Sequence, residues 1–277
     1  MDDCIGLWDW LDDYLRLRGP EVCESTLALD RDTVRRIKAF CDDIPLEDFG
    51  PAMADDFRLC LLSTGLAPTT VAANVSRAHA MFRRAVRRGL IERNPFDLVP
   101  RSMPQPLRRE PQLSDQVAED LIRAAPDDEW RKLIGLVAYA GLRRCEAIGI
   151  TYEAVDYERN RLVVPNIKTS ARTGRLERDV LMEPRLAELL RVTYVDDPTR
   201  KVCIVQVPSM HRKMHAIIRR AGYDPWPMPF HAWRKWRSST WKQRYPEFIV
   251  DAWLGHSIGV ARRHYTQIPE EVYQHAG

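Results

Sequence analysis

The sequence predicts a mainly α fold with one small antiparallel sheet, divided into a four-helix N-terminal domain and a helix-dominated α+β domain. Three observations lead there. Apolar residues recur at helical spacing over most of the chain, β-branched residues alternate in a single stretch over residues 155–180, and prolines crowd residues 93–114. At 277 residues the chain exceeds what one core ordinarily organises, so two domains are expected.

In chain order, the first helix follows apolar residues at helical spacing from Gly6 to Leu17, and a second covers residues 30–40. A third begins at Pro51, a residue suited to a first helical turn, and runs to Ser63. A fourth starts after Leu66-Ala67-Pro68, capped by Thr69 or Thr70, and extends towards Leu90. At 100° per residue it gathers Val71, Val75, Ala78, Phe82 and Val86 on one side. Arg77, Arg84 and Arg88 form a stripe mostly opposite, either a solvated face or a surface for phosphates. Pro95, Pro100, Pro104, Pro106 and Pro111 then make the chain extended, which places the helical domain at residues 1–103, a linker at 104–112 and the second domain at 113–277. Arg101, Arg108 and Arg109 make that linker basic, as a strap across a polyanion or an ordinary exposed connector would be. The second domain opens with a helix capped by Ser114 and running to Ala125, and an apolar helix covers residues 130–140. A three-stranded antiparallel sheet follows around the turn YERN and the loop TSARTG. Helices return over residues 183–192 and 209–221 and continue in shorter pieces from Phe230.

Composition narrows the function classes. Hydrophobic residues at 45% and charged residues at 29% fit a globular chain and not a disordered one, and no apolar run has the length of a membrane span. The acidic, amphipathic start MDDCIGLWDWLDDY is unlike a secretory signal, so a cytoplasmic protein with no membrane partner is expected. Cys4, Cys23, Cys41, Cys60, Cys145 and Cys203 form no CxxC pair and no zinc-site spacing, which reads as buried thiols in a reducing compartment. A net charge of +3 says little about nucleic acid, and the distribution of charge matters more.

The chemistry gathers in the second domain. AYAGLRRCEAIGI sets Arg143 in apolar company, where a guanidinium must be paired or bind an anion. An Arg143–Glu146 pair at i, i+3 is the plain structural alternative. NIKTSARTGRLERDV puts Lys168 at the lip of a hairpin, and FHAWRKW projects His231 and Arg234 onto one helix face, a sensible arrangement around a phosphate. WLGHS adds His256 after a helix-stopping glycine, and ARRHYTQ presents Tyr265 nine residues later. His211 and His215 in HRKMH lack the glutamate of a zinc-protease motif and read as surface histidines. Trp226, Trp233, Trp236, Trp241 and Trp253 read as core with some interface. No metal and no cofactor is expected.

These motifs resemble the tyrosine recombinase, or phage integrase, family. Its signature is an arginine in G-L-R-x-x-E, a hairpin lysine, H-x-x-R, L-G-H and a tyrosine about nine residues on. Arg143, Lys168, His231, Arg234, His256 and Tyr265 meet it in order. TTVAANVSRAHAMFRRAVRRGLIERNPF resembles the family's helical core-binding, SAM-like domain. Trp233 stands where the family usually has leucine, and the segment between Lys168 and Arg178 is longer than in many members, so Arg172 or Arg175 competes with Lys168 for the hairpin role. Tyr273 lacks the spacing to His256.

The resemblance implies a site-specific recombinase or integrase of a mobile element that cuts and rejoins double-stranded DNA through a 3′-phosphotyrosine link, without ATP or metal. It implies that Arg143, Arg234 and His256 bind the phosphate, His231 accepts the proton of Tyr265, and Lys168 supplies one to the leaving oxygen. It also implies a homotetramer on paired sites at the nucleoid, accessory bending or directionality factors, and a C-terminal tail, PEEVYQHAG, that docks on a neighbour. Within the same chemistry the alternative is a type IB topoisomerase. Outside it, the alternative is a catalytically silent DNA-binding regulator.

Overall fold

The computed structural model describes residues 5–101, 111–166, 176–194 and 196–256. It forms two compact units, Met1–Arg108 and Arg109–Gly277, each with its own buried core.

The first unit holds α1 (Leu7–Arg18), α2 (Glu24–Phe40), α3 (Pro51–Ser63) and α4 (Pro68–Arg87). α2 begins six residues before the expected start, at a cysteine that makes no side-chain cap bond. α4 starts at Pro68 with Ala67 in the cap position, so Thr69 and Thr70 belong to its first turn rather than capping it. Its buried side carries Val71, Val75, Ala78, Met81, Phe82 and Ala85. Phe82 meets Phe49 and Phe96 at 4.9 and 5.2 Å, and Phe96 stands edge-on to Phe57 at 6.1 Å. Phe96 is delivered to this cluster by Asn94, which accepts from the Phe96 N–H at 3.0 Å and donates to the His79 carbonyl at 2.9 Å. Asn94 thus satisfies its own buried amide while folding the RNPF turn onto α4.

The second unit holds α5 (Asp115–Ala124), α6 (Asp128–Tyr139), the one-turn α7 (Arg144–Ala147), the strands β1 (Val155–Asp156), β2 (Arg161–Pro165) and β3 (Glu177–Leu181), then α8 (Pro184–Val192), α9 (Met210–Arg220), α10 (Pro229–Arg244) and α11 (Glu247–Leu254). Ser114 caps α5 by accepting from the Val117 N–H at 3.2 Å, and Asp127 caps α6 by accepting from the Trp130 N–H at 2.9 Å. α6 is buried from Leu133 through Tyr139 and runs through the middle of the unit. The sheet is an antiparallel meander in the order β1-β2-β3, with Leu162 opposite Val180 and Val164 opposite Arg178. These four side chains lie on the buried face. Against the expectation of shorter pieces after Phe230, α10 is one continuous 16-residue helix. It buries Trp233, Arg234, Arg237 and Trp241, and Trp241 stacks edge-on to Trp253 of α11 at 5.2 Å.

The cysteines depart from the expectation of buried thiols. Of the five described, only Cys203 is buried, and burial pushes its thiol up to about 12. Cys23 is exposed, and hydrogen bonds with the Ser25 and Thr26 hydroxyls bring its thiol down to about 7. Among the described residues no helix is long and apolar enough to cross a membrane.

Candidate active site

The site is built where α6 ends, α10 begins, and α11 stops. α6 terminates at Gly141, whose φ of +60° turns the chain sharply and leads through Leu142 to Arg143, the residue before α7. α7 is fixed by Glu146, which reaches back one turn to accept from the Arg143 backbone N–H at 2.8 Å. Its other oxygen accepts from Arg143 Nη1, also at 2.8 Å. The i, i+3 pair considered from sequence therefore exists, but it is part of something larger. Arg178 of β3 donates from Nη2 to the same carboxylate at 2.9 Å, and Arg234 Nη1 lies 3.8 Å from it.

Three guanidinium groups thus face one carboxylate whose side chain is only 3% exposed. Burial alone would raise the Glu146 carboxyl, but Arg178 and Arg143 outweigh it and hold the group below its ordinary range. Arg234 is driven the other way, to about 9, by its own burial and then by the charge of Arg143. Such an excess of buried positive charge is costly unless an anion completes it.

Arg234 donates from Nη1 to the Gly141 carbonyl at 2.9 Å and from Nη2 to the Leu254 carbonyl, which ties α10 to the ends of α6 and α11. His256 follows Gly255, whose φ of +62° ends α11. Its Nδ1 pairs with Asp251 Oδ1 at 3.2 Å, and Lys242 donates to the same oxygen at 3.2 Å. Partial burial and the nearby Arg234 lower the affinity of His256 for a proton, while Asp251 opposes them.

Of the residues expected from sequence, Arg143, Arg234 and His256 come together at this junction. His231 lies one turn before Arg234 in the first turn of α10, with its ring exposed. Lys168 and Tyr265 lie outside the described residues, as do Arg172, Arg175, Tyr273 and the tail. Trp233 is fully buried, edge-on to Trp226 and Trp236, and belongs to the core behind the site. His211 stands edge-on to Phe230 at 5.3 Å, and His215 Nε2 contacts the Trp226 carbonyl at 3.1 Å. Among the described residues no cluster of His, Cys, Asp or Glu could hold a metal ion.

In the first unit, each described arginine of the α4 stripe has a partner. Arg84 makes a two-pronged bridge to Glu21 at 2.9 and 3.0 Å, Arg77 lies 3.9 Å from the buried Asp30, and Arg88 sits over the Trp10 ring. Arg101 is exposed at the end of a described segment, and Arg108 lies outside the described residues.

Sequence reasoning missed Arg178. The signal was present: in the alternating strand ERDVL it occupies an inward position, flanked along the buried face by Val180 and opposite Val164. An arginine there requires acceptors from elsewhere in the fold.

Comparison with known proteins gives the family and the fold. Residues 7–102 match the phage integrase SAM-like domain, and residues 111–271 match the phage integrase family. A solved lambda integrase dimer bound to a COC′ core site superposes with a TM-score of 0.73 at 16% identity, covering 96% of this chain and 99% of that one. A lambda integrase tetramer bound to a Holliday junction gives a TM-score of 0.74 at 16% identity, covering 97% and 81%. The Tn1549 transposon integrase in complex with a circular intermediate DNA gives 0.72 at 15% identity, with 96% of each chain covered. At these identities the likeness is one of fold. No curated protein sequence matches the chain.

Proposed function

The chain belongs to the phage integrase family, and from that premise we propose that it is a site-specific recombinase of a mobile element, acting on double-stranded DNA through a 3′-phosphotyrosine intermediate. The observation that carries the reading is the junction of Arg143 and Arg234 at a single buried carboxylate, with His256 close enough to feel the charge of both, an arrangement with surplus positive charge suited to one phosphate.

A phosphodiester repels nucleophiles through its charged oxygens, so neutralisation comes first. Arg143 and Arg234 offer planar forks to the non-bridging oxygens and His256 adds a further donor. Tyr265 attacks phosphorus, its phenolic proton passes to His231, and the bond to the 5′ oxygen breaks as Lys168 protonates that oxygen. The products are a 3′-phosphotyrosine and a free 5′-hydroxyl. A 5′-hydroxyl from a partner duplex reverses the attack, and the phosphotyrosine conserves the bond, so neither ATP nor a metal is required. Residues 1–103 would grip the duplex with Arg77, Arg84 and Arg88, and the linker arginines Arg101 and Arg108 would follow the backbone. Residues 113–277 would carry the chemistry, with four copies on paired sites, the number in the lambda integrase tetramer bound to a Holliday junction, and with accessory DNA-bending or directionality factors. Action on DNA in the cytoplasm, at the nucleoid, fits this role.

The test is a pool of nicked suicide duplexes with a randomised core, incubated with the protein and separated under denaturing conditions. The wild-type chain should yield a covalent adduct whose DNA can be sequenced. Tyr265→Phe should yield none while still binding the selected duplex. An adduct that survives that change moves the nucleophile elsewhere. Binding without any wild-type adduct would mark a silent regulator, and relaxation of a single supercoiled circle without strand exchange would mark a topoisomerase.

A further inference from the structure

The end of α11 presents three successive backbone carbonyls, and each is taken by a different arginine. Arg178 Nε donates to the Trp253 carbonyl at 2.7 Å, Arg234 Nη2 to that of Leu254, and Arg143 Nη2 to that of Gly255 at 3.2 Å. A helix leaves its last carbonyls without intrahelical partners and carries partial negative charge there, so cations are favoured. These three arrive from β3, α10 and the turn before α7.

They differ in what else they hold. Arg178 also donates from Nη1 to Asn166 Oδ1 and from Nη2 to Glu146 Oε2, both at 2.9 Å. Its fork therefore joins the end of β2, α7 and α11 to β3, with the side chain only 6% exposed. Gly255 lies against it so closely that a Cβ there would fall 3.1–3.2 Å from the guanidinium group. His256 is the next residue, and Arg143 and Arg234 sit at the carboxylate that Arg178 holds.

We propose that Arg178 is the positioning arginine of this site: it does not touch DNA, but fixes Glu146 and the end of α11 so that Arg143, Arg234 and His256 converge on one phosphate. The inference rests on the recombinase reading given above. Without Arg178 the buried Glu146 and the Trp253 carbonyl each lose a donor, and the carboxylate draws Arg143 and Arg234 towards itself instead of leaving them to the substrate.

Five proteins compared on the duplex selected from the pool decide the matter: wild type, Arg178→Met, Arg178→Lys, Glu146→Gln, and Arg178→Met with Glu146→Gln. Covalent attachment by Arg178→Met should fall about a hundredfold, the size of effect expected from misplacing groups by about an ångström. Affinity for the same duplex should stay within about threefold, since no phosphate contact is lost. Arg178→Lys keeps the charge but not the fork and should recover part of the rate. The double variant, in which no carboxylate is left to draw Arg143 and Arg234 away from the substrate, should attach at least about tenfold faster than Arg178→Met, a coupling that a purely structural role would not produce. Thermal unfolding establishes that each protein is folded, and if Arg178→Met is not, the lysine and double variants carry the comparison. Attachment by Arg178→Met at the wild-type rate, equal losses of binding and attachment, or additive losses in the double variant would each overturn the proposal. If the wild-type chain itself forms no adduct, the recombinase reading falls and this inference with it.

Discussion

Glu146 sets the charge balance for the residues around it, because one buried carboxylate answers three guanidinium groups. Its carboxyl ionises at lower pH in the folded chain than in the unfolded one. The stability it contributes is therefore present above its unfolded value near 4.5 and is lost as the pH falls through the lower folded value. Glu146→Gln should cost about 3 kcal/mol at neutral pH, since it leaves buried arginines uncompensated. The gap from wild type should narrow as denaturant unfolding is repeated below about pH 4.5. A gap that stays constant down to pH 3 would mean that the charge is not what stabilises. At this scale the sequence was legible wherever chemistry imposes a spacing, as with Arg143, Arg234 and His256. Arg178 was not legible, because its acceptors lie 12, 32 and 75 residues away in the chain and only the fold brings them near.

At the scale of elements, the site depends on how helices stop. Gly141 ends α6 in a left-handed conformation, and a Cβ there would fall 2.9 Å from a Leu254 methyl carbon. Its carbonyl also accepts from Arg234, so the turn and the arginine are one device. Gly141→Ala should destabilise by about 1–3 kcal/mol, from backbone strain and overpacking together. It should also slow covalent attachment, because Arg234 must follow its acceptor. Chemical denaturation reads the first effect and the suicide duplex the second. The strong punctuation of the sequence was read correctly: Ser114 caps α5, Pro51 opens α3, and the 155–180 region forms a three-stranded meander. The errors came where punctuation is weak. α2 starts at Glu24 without a side-chain cap, so no local signal marks its first turn, which buries Leu27. Met228, in a left-handed conformation before Pro229, opens a helix that then runs unbroken to Arg244 through residues too mixed in polarity to show a clean stripe.

For the molecule as a whole, affinity for DNA should be governed by how its basic residues are already engaged rather than by a net charge of +3. Arg84 is held by Glu21, so a phosphate at the proposed DNA surface would have to compete with that carboxylate. Glu21→Gln should raise non-specific DNA affinity about two- to fivefold at low salt, the range an exposed pair commands, and the gain should shrink as salt is added. Fluorescence anisotropy across a salt series measures both, and an unchanged affinity would remove Arg84 from the DNA surface. The three carbonyls at the end of α11 have a different consequence, one of timing. On the ribosome, Arg143, Arg178 and Arg234 are all made before Trp253, Leu254 and Gly255 exist to receive them. Until those residues emerge, the chain holds clustered cations with one carboxylate among them. The arginine cluster therefore takes its final form only once residues 253–255 have been made, whatever the order in which the earlier elements settle.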